Sequence, residues 1–216
     1  CDNSSTQSIT ITDNEFTSNS ANNYRGVMRF QSAGISTQTI DMNGNTFTNN
    51  TSQRRAGVMY IESRDSATQN ATIENNGFDN NRAQEYGVMV IYGAGSSKQN
   101  VKVRSNTFTN NNAQLNGGVM WVVVDTIPTQ TVNFENNTFT NNTAAQRGGA
   151  LHIQGYNTAT QSVTMKNNAF TNNYAQDGGV MYVDTPTNTI YVVMDGVTIS
   201  DSATTTDIVV WAPTTL

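Results

Sequence analysis

A period of 31 residues runs through this chain and leaves few folds open to it. Phe16, Phe47, Phe78, Phe108, Phe139 and Phe170 recur at steps of 31, 31, 30, 31 and 31 residues, each followed three residues later by Asn. Nine or ten residues beyond most of these Phe comes Gly, usually leading into Val-Met. Self-similarity at such a period marks stacked supersecondary units that cannot bury their apolar faces singly.

Units open near Gln7, Gln38, Gln69, Gln99, Gln130 and Gln161, and a degenerate seventh opens near Ile190. Apolar and polar residues alternate after each opening, as in Ile9 and Ile11, Ile40 and Met42, or Val101 and Val103, the period of a half-buried strand. A second short segment is Asn-x-Phe-x-x-Asn. The third is Gly-Val-Met-x-Ile/Val, so three short strands per unit of 29–31 residues are predicted. Turn chemistry separates them, and Pro128, Pro186 and Pro213 all follow a third strand. Stacking equivalent strands in parallel places Phe on Phe and Met on Met. The predicted architecture is all-β: a right-handed parallel β-helix of about seven rungs, one domain over 1–216, and a rod about 30 to 35 Å long. An antiparallel sandwich fits poorly, because its strands would not repeat one three-part pattern.

The aligned columns assign residues. Phe16, Phe47, Phe78, Phe108, Phe139 and Phe170 go to the core, with Met28, Met59, Met89, Met120, Leu151 and Met181. Asn14, Asn45, Asn76, Asn106, Asn137 and Asn168 stand two residues before the Phe; Asn19, Asn50, Asn81, Asn111, Asn142 and Asn173 stand three after. At corners of a coil such amides satisfy backbone groups and one another, so both columns are predicted to be structural ladders. Both end at the seventh unit, which carries Val197 and Ser202 in their place. Glu74, Arg104, Glu135, Lys166 and Asp195 share an outward position and predict an axial ion-pair ladder of small energy.

Charged residues make up 12% of the 216, with a net charge of -5 and a pI near 4.7. No face collects the Lys and Arg that nucleic acid requires, and no apolar run reaches the length of a membrane span. Cys1, the single cysteine, rules out an intrachain disulfide and leaves two readings, a lipidated lipoprotein terminus or a simple boundary. Sequons occur at Asn3, Asn49, Asn50, Asn70, Asn136 and Asn141. Asn49, Asn70, Asn136 and Asn141 are the candidate glycosylation sites, relevant to a secreted eukaryotic chain, whereas Asn50 is expected to point inward.

Phe-x-x-Asn at all six Phe and Gly148-Gly149-Ala150-Leu151 resemble the repeats of the chlamydial polymorphic outer membrane protein family, defined by Phe-x-x-Asn and Gly-Gly-Ala-Ile/Leu/Val. The second motif drifts to Gly-Gly-Val-Met at Gly117 to Met120 and at Gly178 to Met181, and to a single Gly before Val-Met at Gly26, Gly57 and Gly87. The resemblance spans nearly the whole chain. It implies an extracellular or cell-surface β-helix acting in adhesion or as a surface structure, without the membrane barrel that accompanies such passengers.

No clustered carboxylates, nucleophile elbow, phosphate loop or metal set is visible, and His152, the one histidine, has no fixed acidic neighbour in the pattern. No catalytic residue, metal or cofactor is assigned, and a carbohydrate-binding or carbohydrate-active β-helix is the runner-up. Thr46 and Thr48, Thr107 and Thr109, and Thr138 and Thr140 form broken Thr ranks, a minor signal for ice binding.

The candidate contact surface is the outward column of the third strand: Arg29, Tyr60, Val90, Trp121, His152, Tyr182 and Trp211. With its flank of Val27, Val58, Val88, Val119, Ala150 and Val180 it forms either an exposed apolar strip or a face covered by adjacent segments. Neither end carries a polar cap, which predicts a piece of a longer array or head-to-tail stacking. The expected partners are further copies or repeats of the same protein, and a host surface or glycan.

Overall fold

The structure, a computed structural model, describes residues 4–23, 26–126, 128–185, 189–200 and 206–211. Cys1, Asn3, Pro186, Ser202 and Pro213 lie outside the described residues, and with them the readings made on them. The chain coils as a right-handed parallel β-helix, built of parallel sheets along its axis. The long sheet contains Thr6–Thr12, Thr37–Asn43, Thr68–Glu74, Lys98–Arg104, Thr129–Glu135, Thr160–Lys166 and Thr189–Asp195. The Phe sheet contains Glu15–Thr17, Thr46–Thr48, Gly77–Asp79, Thr107–Thr109, Thr138–Thr140, Ala169–Thr171 and Thr198–Ser200. The Met sheet contains Met28–Ser32, Met59–Ser63, Met89–Gly95, Met120–Thr126, Leu151–Gly155, Met181–Asp184 and Ile208–Trp211.

Three strands per rung is an undercount. A fourth, short sheet of Ser20–Ala21, Thr51–Arg55, Arg82–Glu85, Asn112–Ala113 and Thr143–Ala144 lies between the Phe and Met sheets. Some of its members are only two residues long, too short for alternation to reveal them. Its inward side packs Ala113, Ala144 and Ala175 in a file of their own.

Register is strict. Phe47 pairs with Phe16 and Phe78, and the six Phe rings stack with centroids 4.6 to 4.9 Å apart and planes within 11°. That spacing is the strand spacing of a sheet, so the ring stack follows from the pairing. Ile40, Met42, Met59, Ile61 and their counterparts fill the rest of one continuous core.

The Asn-Asn dipeptides explain the corners. The first member of each pair bends the chain in the left-handed region, as at Asn49, Asn80, Asn110, Asn141 and Asn172, with φ of 52 to 57°. Asn accepts that conformation more readily than most residues. The second member turns inward to a ladder. Asn111 Oδ1 accepts from the Asn81 backbone N–H at 2.9 Å and from Asn81 Nδ2 at 3.1 Å. Its own Nδ2 donates to the Phe78 carbonyl and to Asn142 Oδ1, both at 3.0 Å.

A third ladder stands at the remaining corner, made by residues used above only to mark the start of each unit. Gln38, Gln69, Gln99, Gln130 and Gln161 each donate from Nε2 to the Oε1 of the preceding Gln at 2.6 to 2.7 Å, beginning at Gln7. Gln69, Gln99 and Gln130 also reach a main-chain carbonyl seven residues back, on the Met sheet, and so tie the two sheets together. The Gln and Asn ladders point in opposite axial directions. At the seventh rung Ile190 stands where Gln is expected, and the buried Gln161 Oε1 has no partner.

The Val flank of the Met strands faces the core, not solvent. Val58, Val88, Val119 and Ala150 are fully buried in the main cluster. The cause is a doubled bond at the corner: the N–H groups of Val58 and Met59 both donate to the Val88 carbonyl at 3.0 Å. Two consecutive residues then share one side, and the alternation assumed across Val-Met fails.

Candidate ligand groove on the Met sheet

Beyond that corner the Met strands alternate, so two columns point outward. One runs Arg29, Tyr60, Val90, Trp121, His152, Tyr182 and Val209; the other runs Gln31, Glu62, Tyr92, Val123, Gln154, Asp184 and Trp211. Trp211 therefore belongs to the Asp184 column, not beside Tyr182, because the seventh repeat is shorter before its last strand. Its side chain is exposed.

The predicted stripe is covered. Tyr60, Trp121, His152 and Tyr182 are buried, with 2 to 7% of their surface exposed. Segments entering the Met sheet fold over them. Ala56, Tyr60, Tyr86, Val90, Trp121 and Val123 form a second apolar cluster outside the barrel, with Tyr92 packed against it. Tyr86 lies flat on Trp121 at 4.5 Å. It does so from a left-handed backbone position, φ 59°, which Gly117, Gly148 and Gly178 fill on later rungs. A tyrosine there costs about 1 to 2 kcal/mol that a glycine would not, so this departure from Gly-Gly was the legible sign of an outer cluster.

Arginines finish the cover. The Arg55 guanidinium lies 5.2 Å from the Trp121 ring centroid and pairs through Nε with Glu85 at 2.8 Å. Arg64 lies over Tyr92 at 5.6 Å and pairs with Glu62; Arg29 takes the other oxygen of Glu62, with Nε at 3.1 Å. Arg147 stands 4.9 Å over Tyr182. The Arg55 and Arg64 guanidinium groups are held by ring and carboxylate together. Between them opens a groove of about 220 Å³, lined by Arg55, Tyr60, Arg64, Tyr92, Trp121, Asp125 and Tyr156. Asp125 is fixed by Asn157 Nδ2 at 2.7 Å. Burial raises the pKa of Tyr92, with Asp125 adding to it, and that of Tyr156, with Asp184 adding.

No protein-family model, curated protein or solved structure matches the chain. The geometry of this face stands by itself.

Past Trp121 the face holds a hydrogen-bond relay. Trp121 Nε1 donates to Gln154 Oε1 at 3.1 Å, and Gln154 Nε2 donates to Asp184 Oδ2 at 2.9 Å. His152, between Tyr86 and the edge of Tyr182, has both ring nitrogens buried and without a partner. Burial, with Arg147 adding, holds its pKa down to about 3 from 6.5. The unfolded chain takes up a proton below pH 6.5 that the folded chain refuses until about pH 3. The stabilisation is therefore whole above pH 6.5 and declines with falling pH at about 1.4 kcal/mol per unit inside that window. Urea unfolding between pH 7 and pH 4 is expected to show a steeper acid loss in wild type than in His152→Phe; parallel slopes would show that the imidazole is not buried neutral.

The other predicted sites are scattered. Asn49, Asn136 and Asn141 sit on exposed left-handed corners, Asn70 is half-buried on the long sheet, and Asn50 is fully buried. The charge column keeps its register, and within it Arg104 pairs with Glu74 at 2.8 Å. That is the one contact of the column recorded among the described residues, because the other side chains are free to stay hydrated.

Proposed function

We propose that this chain is a non-enzymatic structural rod of the cell surface or extracellular space, which extends by axial and lateral packing and serves adhesion. The observation that carries the proposal is the state of the two terminal rungs. Ile9, Ile11 and Phe16, inward-facing residues of the first rung, are only partly buried, and Met194, Ile199 and Val210 of the seventh are exposed by 36 to 66%. Their column-mates inside the rod are fully covered. A further rung, from the same polypeptide or from another copy, would bury them and complete the sheet edges. The side-chain Oδ1 atoms of Asn14 and Asn19 sit where a preceding rung would donate, since each ladder Asn accepts through Oδ1 from the rung before it.

The repeats it resembles occur in secreted surface proteins, and a chain low in charge and rich in Asn and Thr suits that setting. Its buried polar side chains are committed largely to ladders, a use that serves rigidity more than chemistry. Light scattering and negative-stain microscopy across a concentration series test the proposal. Rods longer than one chain are expected at high concentration. A monomer at every concentration would defeat self-assembly, and a monomer without adhesion to cells or matrix would defeat the proposal as a whole.

A further inference from the structure

We infer that the groove on the Met sheet is a binding site for a neutral pyranose unit of a glycan. The inference goes beyond the rod proposal and does not depend on it. Four aromatic rings, two arginines and one aspartate converge on a space of about 220 Å³. This is smaller than a usual drug-sized pocket, which starts at about 300 Å³, and suits a single sugar ring with its neighbours left outside.

Charge selects the ligand class. Arg29, Arg55 and Arg64 stand against Glu62, Glu85 and Asp125, three cations and three anions, so the groove has no net charge to offer an ionic ligand. An anion at the Nη groups of Arg55 or Arg64 would sit beside Glu85, Glu62 and Asp125, whose charges oppose it, and would gain a full ion pair only by displacing one of them. The Glu62 side chain is 1% exposed, and freeing it would leave a buried charge unpaired. A polyhydroxyl ligand needs no such exchange. Arg55 and Arg64 pair through Nε, which leaves their Nη groups as donors at the rim, and Asp125 supplies acceptor oxygens. Donors and acceptors side by side match a sugar's hydroxyls, each of which both gives and takes a hydrogen bond.

The apolar part of the ligand is met by aromatic carbon. Tyr156 is 39% exposed and Tyr92 half-buried at the rim, over a floor of Tyr60 and Trp121. The C–H faces of a pyranose pack on such rings, and neither face of the ligand needs charge. The groove is also built in advance. Ring stacking holds both guanidinium groups, Asn157 holds Asp125, and Tyr86 accepts a left-handed backbone to cover Trp121. Strain kept in an otherwise regular repeat is a mark of function, and pre-organisation is what a weak, hydroxyl-rich ligand requires.

The test titrates the full chain with cellopentaose, chitopentaose, laminaripentaose and mannopentaose, with a heparin pentasaccharide as the anionic comparison. Binding is followed by tryptophan fluorescence and by saturation-transfer NMR. At least one neutral sugar is expected to bind with a Kd of about 1 mM or tighter, and Tyr156→Ala and Asp125→Ala each to weaken it about tenfold. Both residues lie at the rim, and thermal melts confirm that the variants are folded. The inference is overturned if no neutral sugar binds up to about 10 mM, if binding survives both substitutions, or if heparin binds tighter than every neutral sugar. The rod proposal is judged separately: a monomer that binds sugar keeps this inference and loses self-assembly, and a filament that binds none does the reverse.

Discussion

Replacing Gly118 by valine is expected to break the solenoid at its fourth rung. A Cβ on Gly118 would lie 1.9 Å from the Gly149 carbonyl oxygen and 2.7 Å from that of Thr143. Both are backbone atoms held by rung pairing, with Gly118 itself donating to the Gly148 carbonyl at 3.0 Å, so neither can swing aside. The same collision recurs along the column: 1.8 Å at Gly26, 2.4 Å at Gly57, 2.1 Å at Gly87 and 2.0 Å at Gly149. Relief requires prising two rungs apart, which also unstacks Met and Phe columns. A cost above about 3 kcal/mol is expected, more than ordinary overpacking, with a fall in Tm of about 10 °C. Gly77→Thr is the control. A Cβ there meets only Thr46 Cγ2 at 3.7 Å and Thr107 Oγ1 at 3.8 Å, and Thr already fills both flanking rungs. Circular-dichroism melts of the two variants decide the matter: equal melting temperatures would show that the glycine column is not a steric requirement.

The Phe, Asn and Gly columns were legible because they are axial. A residue that must stack on its own counterpart every rung repeats in the sequence, and its period reports both fold and register. The Gln column carried the same signal. Gln38 shares parity with Ile40 and Met42, and that alone places it inside, where an amide needs a partner. The Val column misled because parity is a property of regular strands, and the doubled bond to the Val88 carbonyl breaks regularity at one peptide.

The groove was hidden for a different reason. It is walled by Arg55, Arg64 and Tyr156, with Tyr86 stacked on Trp121 beside them, residues that do not repeat and that reach the Met sheet from segments on either side. Nothing periodic announces them. Tyr86 in a glycine position and Arg55 next to it were departures from the repeat, and departures from a repeat are where a solenoid can hold something besides itself. The stripe of Tyr60 and Trp121 was legible in place but open as to exposure, and of the two readings the structure takes the covered one, with both residues on the floor of a groove.

Substituting Asn111 by leucine, of similar shape, tests what the ladders contribute. Asn111 is fully buried. Leucine removes the acceptor of the Asn81 backbone N–H and the donor to the Phe78 carbonyl, and it takes one partner each from Asn81 Nδ2 and Asn142 Oδ1. Leaving a buried donor or acceptor unmade costs about 1 to 3 kcal/mol, and one main-chain group, the Asn81 N–H, is orphaned outright, while the Phe78 carbonyl keeps its ladder bond to the next Phe strand. Asn81 Nδ2 keeps its bond to Phe47, and Asn142 Oδ1 keeps the Asn111 backbone N–H, so these two lose less. A loss of about 2 to 3 kcal/mol is expected, offset only in part by the greater apolarity of leucine. The converse change is Ile190→Gln. Gln161 Oε1 is buried without a partner because rung seven breaks the glutamine column, and a glutamine at 190 would bring Nε2 to it as on every earlier rung. A gain of about 1 kcal/mol is expected. Urea unfolding of both variants separates two roles. If Asn111→Leu falls within about 0.5 kcal/mol of wild type, the ladder amides do not hold the rod together and their part is confined to fixing register. Loss at 111 together with gain at 190 would establish that each rung is held by bonds it makes to its neighbours, which is the property a rod needs in order to accept another rung.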